Sequence, residues 1–133
     1  MIADARQTPT WVLTLASADA AKRSALLAAG VTLINVDPDP EGRINLVSAL
    51  IALGERGVTR LLIEGGARFA AAMLHDGLVD RLVWIHAPLL IGGDGTPAIA
   101  ALGLDRLADA PAFERLSVER VGGDTLTTLR ARA

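Results

Sequence analysis

Along the first two thirds of the chain, short runs typical of strands alternate with segments whose apolar residues recur at helical spacing. Short β-branched and apolar runs predict strands, and segments with apolar residues at helical spacing lie between them. The predicted strands are residues 10–15, 31–36, 60–63 and 80–87. Helices are predicted after Asp19, from Leu46 and after Gly66, and a glycine follows the end of each one.

This order of elements indicates an α/β protein. Strands that alternate with helices of about a dozen residues imply βαβ crossovers and a mainly parallel sheet flanked by helices. In the last third, residues 113–121 and 125–132 alternate apolar and polar side chains around Gly122-Gly123-Asp124, which predicts a hairpin. We therefore expect a single domain over residues 1–133 whose sheet ends in an antiparallel pair.

Composition and charge exclude several classes of protein. With 51% hydrophobic and 3% aromatic residues, the core is expected to be aliphatic, and a net charge of −2 gives no basic field for nucleic acid or an anionic membrane. The chain has no cysteine, which excludes disulfides and thiolate metal sites. No apolar run approaches the roughly 20 residues of a membrane span. We expect a cytoplasmic protein without nucleic-acid or membrane partners.

Candidate chemistry lies at LLIEGGARF, residues 61–69, where a predicted strand meets a helix. Gly65 and Gly66 would let the backbone approach a ligand, and the amides that begin the helix favour an anion such as a pyrophosphate. A tight turn with close helix packing is the alternative, because this is not the G-x-G-x-x-G fingerprint. The preceding carboxylate, Glu64, either contacts a ligand or simply reaches solvent.

Two further groups of residues are weaker candidates for ligand binding. The only histidines, His75 and His86, have no clustered acids around them, so no metal site is expected. Lys22 and Arg23 are able to reach a phosphate, but a solvated helix face is the preferred interpretation.

Residues 61–93 resemble a known family in a specific order of motifs. These motifs are Glu64-Gly65-Gly66, Gly77-Leu78-Val79-Asp80, Ala87-Pro88 and Ile91-Gly92-Gly93. They are similar to the bacterial riboflavin-biosynthesis reductases, which form the C-terminal domain of a bifunctional deaminase/reductase. The upstream run PTWVLT at residues 9–14 is similar to the family strand near the adenosine end of the cofactor.

The resemblance implies a dihydrofolate-reductase-like fold and an NADPH-dependent oxidoreductase. The implied reaction reduces 5-amino-6-(5-phosphoribosylamino)uracil to its ribitylamino product. By the same resemblance, Gly65, Gly66, Ala67 and Arg68 would hold the cofactor pyrophosphate, Glu64 would face the substrate, and Thr14 would lie near the adenosine 2′-phosphate. No catalytic side chain is assigned, since hydride transfer belongs to the cofactor.

The sequence also departs from the family pattern. The family domain begins with a Ser-Leu-Asp-Gly type segment that shapes the substrate pocket, and no such segment precedes Met1. We expect an incomplete domain whose exposed apolar edges favour a homodimer or other homo-oligomer. Two alternatives to the riboflavin reductase stay open: a non-catalytic nucleotide-binding or assembly module, and another reductase of the dihydrofolate-reductase-like class.

Overall fold

The computed structural model describes residues 2–132. The chain divides into two compact units, of which the first ends at Leu61 and the second begins at Leu62. Each unit contains one of the two tryptophans, Trp11 in the first and Trp84 in the second.

The first unit is built on a parallel pair of strands with two helices. After a short 3-10 helix, its elements are β1 (Trp11–Thr14), α1 (Ala20–Ala28), β2 (Thr32–Asn35) and α2 (Leu46–Gly54). The register of β1 and β2 runs from Trp11 opposite Thr32 to Thr14 opposite Asn35. The two carboxyl ends of the strands are therefore level with each other, at the edge where α/β sheets bind ligands.

Local side-chain hydrogen bonds fix where the helices of the first unit begin. The Asp19 carboxylate accepts from the backbone N–H of Lys22 at 2.8 Å, and Asn45 accepts from that of Ser48 at 3.0 Å. Both are N-caps that satisfy a first-turn amide. α1 ends before Gly30, which takes the left-handed conformation at φ 90° that glycine adopts without strain.

The turn between β2 and α2 is held by Asp39. Its carboxylate accepts from the backbone N–H of Arg43 at 2.7 Å and from the Arg43 Nε at 2.8 Å. Burial acts to raise the pKa of Asp39, but these hydrogen bonds and the positive charge of Arg43 outweigh it, so the pKa lies below its ordinary value. Pro38 and Pro40 lie in this turn, and they keep β2 and α2 from extending through it.

The core of the first unit lies on one face of the parallel pair. Ile34 is 1% exposed and packs with Val36 and Ala49. Partly buried neighbours surround this cluster: Leu13, Leu15, Ile44, Ala52 and Leu53. Because side chains alternate along a strand, Thr14 and Asn35 face the opposite side from Leu13 and Ile34.

The second unit combines one helix with an antiparallel sheet. Its elements are α3 (Ala67–His75), β3 (Arg81–His86), a short 3-10 helix (Leu107–Asp109), β4 (Phe113–Val121) and β5 (Asp124–Ala131). The strands lie in the order β3-β5-β4. A two-residue turn joins β4 to β5 and places Val121 opposite Asp124, with Gly122 at φ 62°. The predicted hairpin is therefore confirmed.

The α/β class, with a parallel sheet, flanking helices and a C-terminal antiparallel hairpin, is confirmed. Within residues 2–132, parallel pairing is limited to β1 and β2, and β3 pairs antiparallel with β5. No helix in this part of the chain is long and apolar enough to cross a membrane.

The strand predicted at residues 60–63 is wrong. This segment has no strand partner among the residues that the structure describes, and Leu62 is 80% exposed. An apolar, β-prone run becomes a strand only when a neighbour supplies the ladder hydrogen bonds, and composition alone does not reveal that neighbour.

Candidate functional site

The predicted ligand-binding residues Glu64 to Arg68 form one continuous turn into α3. Gly65 has φ 102°, and Gly66 is the N-cap of α3 with φ −77° and ψ −176°. The peptide bond between these two glycines is cis. The conformation of Gly65 is one that residues with a side chain rarely adopt, whereas the conformation of Gly66 is open to any residue.

The space around the two glycines is open. Apart from its immediate chain neighbours, a Cβ added at Gly65 or at Gly66 would meet no heavy atom of residues 2–132 within 4 Å. Close packing of the chain against itself therefore does not account for glycine at either position. At Gly65 the positive φ accounts for it. At Gly66 neither packing nor conformation does, so the bare backbone there remains available for another molecule.

The first turn of α3 presents unsatisfied backbone donors. Gly66 makes no side-chain cap, and its carbonyl accepts from the N–H of Ala70 at 3.0 Å. The N–H groups of Ala67, Arg68 and Phe69 have no acceptor in the described part of the chain. Such donors at the positive end of a helix favour an anionic ligand.

The Ala67 carbonyl holds this helix start against a later segment. It accepts from the N–H of Ala100 at 3.0 Å, within the second unit. Glu64 and Arg68 are both exposed, and neither side chain forms a hydrogen bond or ion pair among residues 2–132. The turn therefore offers a free carboxylate, that of Glu64, before the glycines and a free guanidinium, that of Arg68, after them.

The fifth predicted cofactor-binding residue, Thr14, lies in the first unit. It is the last residue of β1, is half-buried, and its hydroxyl donates to the Leu15 carbonyl at 3.5 Å, which is a weak hydrogen bond. Thus the structure joins Glu64 and Gly65–Arg68 in one segment of the second unit, and Thr14 belongs to the carboxyl edge of the parallel pair.

Sequence analysis does not single out Asn35, which stands opposite Thr14 in the register. The sequence favours a solvated helix face for Arg23, but this residue is half-buried and bonds to both strand ends. It donates to the Leu15 carbonyl at 3.1 Å and to the Asn35 Oδ1 at 3.0 Å. A polar residue near the carboxyl end of a predicted parallel strand is the signal that would have found Asn35.

Comparison with solved structures shows the fold that this chain adopts. RibD from Acinetobacter baumannii superimposes with a TM-score of 0.73 over 92% of this chain and 31% of that chain, at 22% sequence identity. This likeness shows the fold, and the predicted dihydrofolate-reductase-like α/β fold is confirmed. The particular family follows from the sequence: residues 2–127 match the model of the RibD C-terminal domain, and the chain belongs to that family.

Curated relatives agree with this assignment. The riboflavin biosynthesis protein RibD of Bacillus amyloliquefaciens is 31% identical over 121 residues, which cover 90% of this chain and 32% of the relative. The 2,5-diamino-6-ribosylamino-4(3H)-pyrimidinone 5′-phosphate reductase of Methanothermobacter thermautotrophicus is 34% identical over 85 residues, 63% of this chain and 39% of the relative. The chain thus spans between about a third and two fifths of these relatives and is a member of the RibD C-terminal domain family.

Proposed function

We propose that this chain takes part in the NADPH-dependent reduction of 5-amino-6-(5-phosphoribosylamino)uracil to its ribitylamino product in riboflavin biosynthesis. Membership of the RibD C-terminal domain family supports the reductase class. The observation that supports the cofactor assignment is Gly66 at the start of α3. Its backbone is bare and the amides after it are unused, and no packing contact among residues 2–132 accounts for the glycine.

Gly65, Gly66, Ala67 and Arg68 are proposed to hold the cofactor pyrophosphate. The absence of Cβ atoms lets a phosphate approach the backbone, and the N–H groups of Ala67 and Arg68 supply donors at the positive helix end. The free Arg68 guanidinium adds positive charge to the same turn. A diphosphate is bound well by hydrogen-bond donors and by a nearby cation, and this turn supplies both.

Glu64 is proposed to contact the substrate, and Thr14 is proposed to lie near the adenosine 2′-phosphate of the cofactor. Glu64 is an exposed carboxylate without a partner in residues 2–132, so it can accept hydrogen bonds from a hydroxyl or ring N–H of the pyrimidine substrate. Thr14 is assigned to the adenosine 2′-phosphate. Bound NADPH supplies the hydride, and these residues of the chain orient the reactants for its transfer.

The remaining proposals concern the whole chain. We propose that residues 1–133 belong to a single reductase-like domain, because one family model spans residues of both units. We propose a homodimer or other homo-oligomer, supported by exposed apolar side chains such as Leu62, Leu90 and Leu107. A cytoplasmic location is proposed from the composition, which carries no cysteine and no long apolar run.

An NADPH titration of this chain tests the proposal, read by calorimetry or by quenching of Trp11 and Trp84 fluorescence. NADH is the matched ligand, because it differs only in lacking the 2′-phosphate. We expect saturable binding that prefers NADPH. Absence of binding at millimolar NADPH would contradict the cofactor assignment. Binding without turnover of the pyrimidine substrate would favour the non-catalytic nucleotide-binding module.

A further inference from the structure

The carboxyl edge of the parallel pair in the first unit carries polar side chains on one face. Thr14 and Asn35 are the last register pair of β1 and β2, and paired residues on adjacent strands project to the same side, about 4.8 Å apart. Leu13 and Ile34 project to the other side, into the core. Thr14 and Asn35 thus share the face that receives the Arg23 side chain from α1.

Arg23 fixes the orientation of the Asn35 amide. Its Nη1 donates to the Leu15 carbonyl at 3.1 Å and its Nη2 donates to the Asn35 Oδ1 at 3.0 Å. A guanidinium has donors and no acceptor, so the Asn35 atom that faces it must be the oxygen. The Asn35 NH₂ group is consequently directed away from Arg23, and neither of its N–H donors has an acceptor in the part of the chain that the structure describes.

Arg23 brings a positive charge to this edge, and no direct ion pair among residues 2–132 neutralises it. Arg23 donates two hydrogen bonds, both to neutral oxygens. The nearest carboxylates along the chain keep their negative charges but accept hydrogen bonds elsewhere. Asp19 accepts from the Lys22 N–H at the start of α1, and Asp37 accepts from the Ser48 hydroxyl at 3.3 Å. Free donors beside a fixed cation suit a phosphate group.

We propose that Asn35, oriented by Arg23, is a specificity-determining residue that donates to the phosphate monoester at the adenosine end of the cofactor and so selects NADPH over NADH. Arg23 acts as a positioning residue, and its charge adds to the attraction. This inference rests on the proposed function for the identity of the cofactor. A carboxylate at position 35 would do the opposite, since it would repel the phosphate and accept from a ribose hydroxyl.

The sharpest variant is Asn35→Asp. It keeps the shape of the side chain and an oxygen for Arg23, but it exchanges the two donors for a negative charge. We expect the Kd for NADPH to rise about tenfold or more, as for loss of one charge-assisted hydrogen bond, while the Kd for NADH changes less than about threefold. Asn45→Asp is the matched control in the same unit, because Asp and Asn are equally good N-caps.

Arg23 is tested by Arg23→Gln and Arg23→Lys. We expect Arg23→Gln to lower the preference for NADPH over NADH, and Arg23→Lys to restore part of it because the charge returns without the two-point contact. A purely structural role would weaken both cofactors equally and leave the preference unchanged. A thermal melt of each variant tests whether the chain remains folded.

A second titration separates this inference from the proposed function. Adenosine 2′-monophosphate and adenosine are compared on the wild type and on Asn35→Asp. Preferential binding of the monophosphate that Asn35→Asp abolishes supports the phosphate site even when NADPH does not bind. A wild type that prefers NADPH while Asn35→Asp keeps that preference overturns the role of Asn35 and leaves the proposed function intact. Equal or no binding of the two adenosine probes also overturns it.

Discussion

Gly65 and Gly66 are adjacent residues with different reasons for lacking a side chain. Gly65 has a positive φ of 102°, which residues with a side chain rarely adopt. Gly66 has an ordinary φ of −77°, and both positions have open space where a Cβ would stand. A side chain at Gly66 therefore tests ligand approach, and a side chain at Gly65 also tests backbone strain.

We expect Gly66→Val to weaken NADPH binding about tenfold or more while lowering stability by only about 0.5–1 kcal/mol, because Val is a poorer N-cap than Gly. Gly65→Val should cost about 1–3 kcal/mol more, since Val would be forced to positive φ. Calorimetric titration and denaturant unfolding measure the two effects. Gly54→Val at the end of α2, where a Cβ also meets nothing within 4 Å, is the control. Normal NADPH binding by Gly66→Val would contradict the pyrophosphate assignment.

Glu114 links acidity to stability in the hairpin. The hydrogen bond from the Arg130 Nη2 at 2.6 Å, and the charge of Arg130, lower the pKa of Glu114 below its ordinary value of 4.5. A folded pKa that is lower than the unfolded one contributes stability above pH 4.5, and this contribution is lost as the pH falls through the lowered pKa. Both side chains are about half exposed, so solvent screening keeps the effect small.

We expect Glu114→Gln to flatten the acid limb of a plot of unfolding free energy against pH, with little change in that slope above pH 4.5. Urea denaturation at a series of pH values measures this. Glu119→Gln is the control on the same strand, because Glu119 accepts from the Ser117 hydroxyl and has no cationic partner among residues 2–132. Identical acid limbs for the wild type and Glu114→Gln would rule out the ion pair as a source of stability.

At the scale of elements, the sequence predicts those boundaries of helices and turns that are set by residues close to them in the chain. The carboxylate of Asp19 marks the start of α1, Gly30 marks its end, and Gly122 with Gly123 makes the hairpin turn. Each of these signals acts within a few residues of the element it bounds. The glycine turn that begins α3 is predictable for the same reason, because all its residues are contiguous.

Contacts between distant positions are not predictable in this way. β3 pairs with β5, which lies some 40 residues further along the chain, and the composition of β3 gives no sign that this pairing is antiparallel. The contact of Arg23 with Asn35 joins residues 12 positions apart on different elements. Residues 60–63 have the composition of a strand, yet pairing depends on a partner that the local sequence does not contain.

Residues 59–65 give a prediction about local stability. Their backbone N–H groups form no hydrogen bond to other backbone groups in the described part of the chain, and most of them are exposed. We expect these amides to exchange hydrogen within the first time points, while amides of β5, which is paired on both sides, exchange much more slowly. Hydrogen exchange read by mass spectrometry measures the difference. Slow exchange across 60–63, comparable to β5, would show that this segment is paired in solution.

At the scale of the whole molecule, two compact units fall under one family model. The model covers residues 2–127, so it includes β1, α1, β2 and α2 of the first unit and most of the second. The parallel edge with Thr14 and Asn35 belongs to the first unit, and the glycine turn belongs to the second. Variants of the two sets of residues therefore probe the two units separately.

The positions of the tryptophans make the cooperativity of unfolding measurable without any added label. Trp11 in β1 and Trp84 in β3 are 38% and 36% exposed, and each is the sole tryptophan of its unit. In Trp84→Phe the emission reports the first unit, and in Trp11→Phe it reports the second. Coincident denaturation midpoints, after correction for the effect of each substitution on stability, would mean that the two units unfold in one cooperative transition. Separate midpoints would mean that each unit unfolds on its own.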